Sequence, residues 1–112
     1  MARVKSIAQR KHRELKKEAR GFRQARRRRV KAAHEALLHA GQYAYHGRKL
    51  KKRDLRKLWI MRVNAAAREN GLSYSKLMAG LKKAKVELDR KILSDIAVSD
   101  PATFEKIISE VK

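Results

Sequence analysis

The segment LRKLWIMRVNAAARENGLSYSKL, residues 55–77, decides the fold. Leu55, Leu58, Trp59, Arg62, Val63, Ala66 and Ala67 recur at intervals of three and four, which puts them on one broad helical face. Asn70-Gly71 then supplies a stop, because glycine adopts the left-handed conformation that closes a helix C-terminus. Ser73 is the next start: its hydroxyl suits an N-cap, and Leu72 and Leu77 flank it as a hydrophobic staple. A helix, a stop and a second helix follow one another here, and no strand alternation competes.

Downstream the same grammar repeats. The helix opened by Ser73 carries Leu77, Met78 and Leu81 and is expected to end near Lys83. Asp89 is the next N-cap, with Leu88 and Leu93 as its staple, and its helix offers Ile92, Leu93, Ile96 and Ala97 to a core. Asp100-Pro101 is a third start, a capping acid followed by proline at the first helical position. The last helix contributes Phe104, Ile107, Ile108 and Val111. Trp59, amid apolar neighbours, reads as a core anchor. Three short helices packed on the end of a long one make a unit of about 55 residues, small but able to fold alone.

Upstream the physics changes. Residues 1–57 hold 21 Lys and Arg against 4 Asp and Glu, a net of +17; residues 58–112 hold 10 against 7, a net of +3. Val4, Ile7, Leu15, Phe22, Val30, Leu37, Leu38, Tyr43, Tyr45, Leu50 and Leu55 are too scattered to build a core of their own. Good helix formers dominate, so residues 8–20 are expected as a helix with Gly21 at its C′ position. A second run should start near Gln24, loosen around Gly41 or Gly47, and continue to about Glu69. Unbroken, a helix of about 45 residues would reach roughly 65–70 Å, more than so small a domain can cover. The expected architecture is therefore all-α: a long basic helical extension, residues 1–57, followed by a small orthogonal helical globular domain, residues 58–112.

A net charge of +20 on 112 residues opposes compaction unless a polyanion neutralises it. Nucleic acid answers that need best, since replacing phosphate counterions with Lys and Arg drives binding. There is no cysteine, so disulfides and thiolate metal sites are excluded. No apolar stretch approaches the roughly 18 residues of a membrane span. Met1–Lys11 has no apolar core and does not read as a secretory signal. His12, His34, His39 and His46 include no i, i+4 pair, so no metal site is expected. Neither a phosphate-cradling glycine loop nor a nucleophile with a partnered base can be recognised, and Ser73 and Ser75 are accounted for as helix-start chemistry. The reading is of a non-enzymatic protein with no cofactor and no small-molecule substrate.

Arg26, Arg27, Arg28 and Arg29, with Arg23 and Lys31 beside them, are the densest charge. On a helix, consecutive residues sit about 100° apart, so four arginines surround the axis and meet phosphate on several sides. The second cluster is Arg48, Lys49, Lys51, Lys52, Arg53, Arg56 and Lys57, in which Leu50 and Leu55 suggest a covered face. Just upstream, Tyr43 and Tyr45 can stack on unpaired bases or pack against the protein itself; the residues alone leave both open.

These stretches resemble a known family. Residues 52–75, KRDLRKLWIMRVNAAARENGLSYS, are close to the signature of the bacterial large-subunit ribosomal protein family numbered twenty. The likeness continues through Leu81-Lys82-Lys83-Ala84 and Glu87-Leu88-Asp89-Arg90-Lys91 to Leu93, Ala97, Asp100-Pro101 and Phe104. It is also present at Arg3-Val4-Lys5 and Ala19-Arg20-Gly21-Phe22-Arg23. The segment before His12 is about two residues shorter than the usual family form, with Ser6-Ile7-Ala8-Gln9 in place of a run of glycine and small residues. Lys31–Gln42 matches loosely.

The resemblance implies a structural protein of the large ribosomal subunit whose arm threads into ribosomal RNA and which acts early in assembly. It implies RNA contacts along the arm at Arg3, Lys5, Arg10, Lys11, Arg13, Lys16, Lys17 and Arg20 as well as the two clusters. On the domain it implies contacts at Arg62, Arg68, Lys76, Lys82, Lys83, Arg90 and Lys91. Expected partners are large-subunit ribosomal RNA, neighbouring large-subunit proteins and, as in some family members that repress their own translation, its own mRNA. The expected location is the ribosome, in bacterial cytoplasm or an organelle of bacterial descent. Two rivals share the charge. A nucleoid-type DNA-binding protein would suit it equally, though an arm basic all round favours enclosure by folded RNA. A membrane-surface helix needs an apolar stripe, and residues 8–31 offer only Leu15, Phe22 and Val30 as large apolar groups.

Overall fold

The computed structural model describes residues 6–112, and those residues form six helices and no strand. They are α1 (Ile7–Glu18), α2 (Ala25–Arg28), α3 (Val30–Glu69), α4 (Tyr74–Lys83), α5 (Arg90–Ser99) and α6 (Pro101–Val111). The all-α expectation holds, with a 40-residue helix followed by a helical domain. Two compact units can be distinguished, Met1–Lys49 and Leu50–Lys112, and α3 runs through both.

In the first unit, α1 starts at Ser6, whose hydroxyl accepts from the Gln9 amide at 3.1 Å. It ends at Ala19 rather than Arg20, and Gly21 lies one position beyond C′. There Gly21, at φ +89°, serves the turn closed by the Phe22 amide donating to the Ala19 carbonyl, a conformation favouring glycine. The helix expected from Gln24 stops after one turn, because Arg29 is extended (φ −90°, ψ 129°). Its carbonyl accepts from the Ala33 amide, so Arg29 ends α2 and opens α3. The expected loosening at Gly41 or Gly47 does not occur: α3 is continuous through both. Helix propensity explains why, since single glycines cost only about 1 kcal/mol in so long a helix. Ala19 and Ala33 are fully buried in this unit.

The second unit holds the core. Val63 and Ala67 of α3, Leu77 and Leu81 of α4, Leu93 of α5, and Phe104 and Ile108 of α6 form one buried cluster. Ala66, Leu72, Tyr74, Met78, Leu88, Ile96, Ala97, Ile107 and Val111 pack against it. Each large apolar side chain so buried contributes about 1.5–3 kcal/mol. Helix α6 lies against both α4 and α5.

The punctuation operates largely as read. At the end of α3, Gly71 (φ +78°) lets the Leu72 amide donate to the Ala67 carbonyl and its own amide to Arg68. This double bond pattern satisfies carbonyls the helix leaves unpaired. The same pattern ends α4, but Lys85 supplies the left-handed residue at φ +56°. Ser73 caps α4 through the Lys76 amide at 3.4 Å, and Asp100 caps α6 through the Thr103 amide at 3.2 Å. Asp89 occupies the N-cap of α5 without a side-chain hydrogen bond.

Three apolar expectations are corrected. Ile92 is 45 % exposed, because it lies about 100° around α5 from the buried Leu93. Trp59 is half-buried and lies outside the residues packed on the core, which α3 enters only at Val63. Leu50 and Leu55 share no covered face: five residues apart, they point about 140° away from one another, and both are exposed.

Candidate nucleic-acid interface

The cations of the first unit stand out because little opposes them. No acidic residue lies between Glu18 and Glu35, a span that holds Arg20, Arg23, Arg26, Arg27, Arg28, Arg29 and Lys31. All seven are exposed. So are Arg10, Lys11, Arg13, Lys16 and Lys17 on α1. With Arg29 extended, the arginine run is three residues on one helical turn plus a fourth at the joint with α3. The four arginines therefore do not lie on one continuous helix, and the expected all-round helical spray does not form.

On α3, Arg48, Lys49, Lys51, Lys52, Arg53, Arg56 and Lys57 are all exposed. At about 100° per residue they cover roughly 240° of the helix surface. That is far more than a solvated stripe opposite a packed face, and Asp54 is the only acid among them. On the second unit Arg62, Arg68, Lys76, Lys82, Lys83 and Lys91 are exposed. Arg90 differs: it is half-buried, and its Nε donates to the Tyr74 hydroxyl at 2.8 Å. That bond ties the first residue of α5 to the first residue of α4. Arg3 and Lys5 lie outside the described residues.

Both tyrosines leave much of their rings exposed, and the ring contacts they make are with neighbours on α3 itself. Tyr43 is 73 % exposed and Tyr45 51 %. The Lys49 ammonium sits 4.4 Å from the centre of the Tyr45 ring, a cation–π contact, and His46 meets the same ring edge-on. Tyr43 is paired with His39, the two rings near-parallel at 28° with centroids 6.5 Å apart. Both border a cleft of about 630 Å³ within the first unit, whose other walls include Phe22, Arg23, Arg26 and Glu35. The sequence singles out Tyr43 for stacking and His39 only as a rejected metal ligand; the spacing of four that puts Glu35, His39 and Tyr43 on one face of α3 is the signal that joins them.

Among the described residues no group of three or more His, Cys, Asp or Glu could hold a metal ion, and no helix is long and apolar enough to cross a membrane. What this surface offers is positive charge, guanidinium forks and exposed aromatic rings, the chemistry that grips phosphate and stacks on bases.

A family model described as Ribosomal protein L20 matches residues 2–107. The large ribosomal subunit protein bL20 of Roseiflexus castenholzii (strain DSM 13941 / HLO8) is 51 % identical over 114 aligned residues, covering 100 % of this chain and 97 % of its own. Proteins of the same name from Roseiflexus sp. (strain RS-1) and Chloroflexus aggregans (strain MD-66 / DSM 9485) are each 50 % identical, with 97 % and 96 % of their lengths covered.

Proposed function

Because the chain belongs to the ribosomal protein L20 family, we propose that it is a structural protein of the large ribosomal subunit that binds large-subunit ribosomal RNA through its basic first half. The observation that carries this reading is the exposed, acid-free run of cations from Arg20 to Lys31. Such a surface is self-repelling until phosphate neutralises it. The exposed cations of Arg48–Lys57 continue the grip along α3, and the second unit adds a folded body with cations of its own.

The role is one of holding RNA in place. Binding by counterion release is strong and weakly selective, so it suits early assembly, when segments must be gathered before the subunit is compact. The same surface fits a structured segment of its own mRNA, which would make the protein its own translational repressor. No reaction is proposed for it. The proposed location is the bacterial ribosome.

A competition assay tests the reading. Binding of the full chain to large-subunit ribosomal RNA is measured against duplex DNA at matched salt. Tighter binding to the structured RNA is expected; tighter binding to the duplex would make the chain a DNA-binding protein and overturn the proposal.

A further inference from the structure

The cleft bordered by Phe22, Arg23, Arg26, Glu35, His39 and Tyr43 has a composition that general phosphate binding does not require. Its cations suit phosphate, but it also places a carboxylate and a near-parallel pair of rings beside them. In a protein whose partner is a polyanion, an exposed acid at this position opposes binding unless it meets a hydrogen-bond donor. Tyr43 stands 73 % exposed beside His39, so most of its ring is available to a base. We infer that the cleft binds one unpaired guanine nucleotide of the RNA. This rests on the ribosomal-RNA reading above and names what one part of that surface recognises.

The chemistry selects the base. A guanine presents two adjacent donors, N1–H and N2–H, on its Watson–Crick edge, and the two oxygens of the Glu35 carboxylate accept them side by side. Adenine and cytosine offer an exocyclic amine next to an acceptor, and uracil offers one N–H between two acceptors, so none gives the carboxylate two neighbouring donors. Unpaired bases in RNA are commonly read in this way, on their Watson–Crick edges and by stacking on aromatic side chains. Tyr43 and His39 supply the stacking surface, and Arg23 and Arg26 neutralise the phosphates on either side of the nucleotide. The cleft, about 630 Å³, has room for a base with its sugar.

Glu35→Gln gives a test in which charge and recognition predict opposite signs. If Glu35 is only a counter-ion to the arginines, neutralising it removes repulsion and tightens RNA binding. The inference requires weaker binding. Kethoxal, which modifies N1 and N2 of unpaired guanines, then reads the interaction directly on large-subunit ribosomal RNA saturated with the full chain. The wild type is expected to shield a guanine that Glu35→Gln leaves reactive. Tyr43→Leu is expected to lower affinity by about 5- to 150-fold, the usual cost of removing a base–aromatic stack, with the salt dependence unchanged. Tighter binding by Glu35→Gln, or identical guanine protection by the two proteins, would overturn the inference and leave RNA binding standing. A wild-type chain that failed to bind the RNA at all would instead overturn the reading on which the inference rests.

Discussion

Gly80 shows how one residue governs the seating of a helix. A Cβ at this position of α4 would run into the Val111 side chain and lie 3.0 Å from the Val111 carbonyl oxygen of α6. An alanine elsewhere in a helix gains about 1 kcal/mol over glycine, but overpacking costs about 1–3 kcal/mol. Gly80→Ala should therefore lower the denaturation midpoint of the protein; a raised midpoint would show that the close approach of α4 and α6 is not needed. Asp100 acts through charge. Accepting from the Thr103 hydroxyl, then from the Thr103 amide, holds its carboxyl below the ordinary value of 3.8. A depressed acid stabilises the fold above that value, and the contribution is lost as pH falls through the folded-state value. The difference in Tm between the wild type and Asp100→Asn should be constant above 3.8 and shrink below it; a difference that grows in acid would reverse the assignment. Ser73 and Asp100 were legible in the sequence because caps are local. Gly80 was not, because its neighbour Val111 belongs to another helix.

At the scale of elements, the boundaries that rest on local chemistry are the readable ones. Gly71 ends α3 as read, and α4 and α6 start where Ser73 and Pro101 place them. The misjudged points are those where neighbouring residues gave no warning. Arg29 breaks the helix though arginine favours one, and Gly41 and Gly47 do not break it though glycine disfavours one. Trp59 has the right neighbours for a core position but lies one turn before Val63, where α3 first contributes to the buried cluster. The candidate site was legible as charge, since runs of Lys and Arg need no fold to be recognised. The cleft was not, because it depends on the Gly21–Arg26 segment lying beside the face of α3 that carries Glu35 and Tyr43. Replacing Arg26–Arg29 by glutamine should weaken RNA binding and flatten its salt dependence, by about 0.9 in log–log slope for each phosphate no longer neutralised. An unchanged slope would remove this run from the interface.

In the whole molecule, charge and core lie in different halves of the chain. The first half carries a net of +17 and the second +3, and every residue of the core cluster comes from Val63 onward. A fragment of residues 58–112 should thus fold without the basic half, and its circular-dichroism spectrum should be helical; a coil spectrum would mean that the core needs the rest of α3. On the proposed reading, the basic half is held within the RNA of the large subunit rather than attracted to its surface. Charge attraction alone weakens steeply with salt, whereas a chain enclosed by folded RNA leaves only when that RNA opens. The direct measurement is sedimentation of large subunits through a high-salt wash, with the pellet and supernatant assayed for this protein. The protein is expected to stay with the subunit; its release into the supernatant with the subunit intact would contradict enclosure of the basic half by RNA.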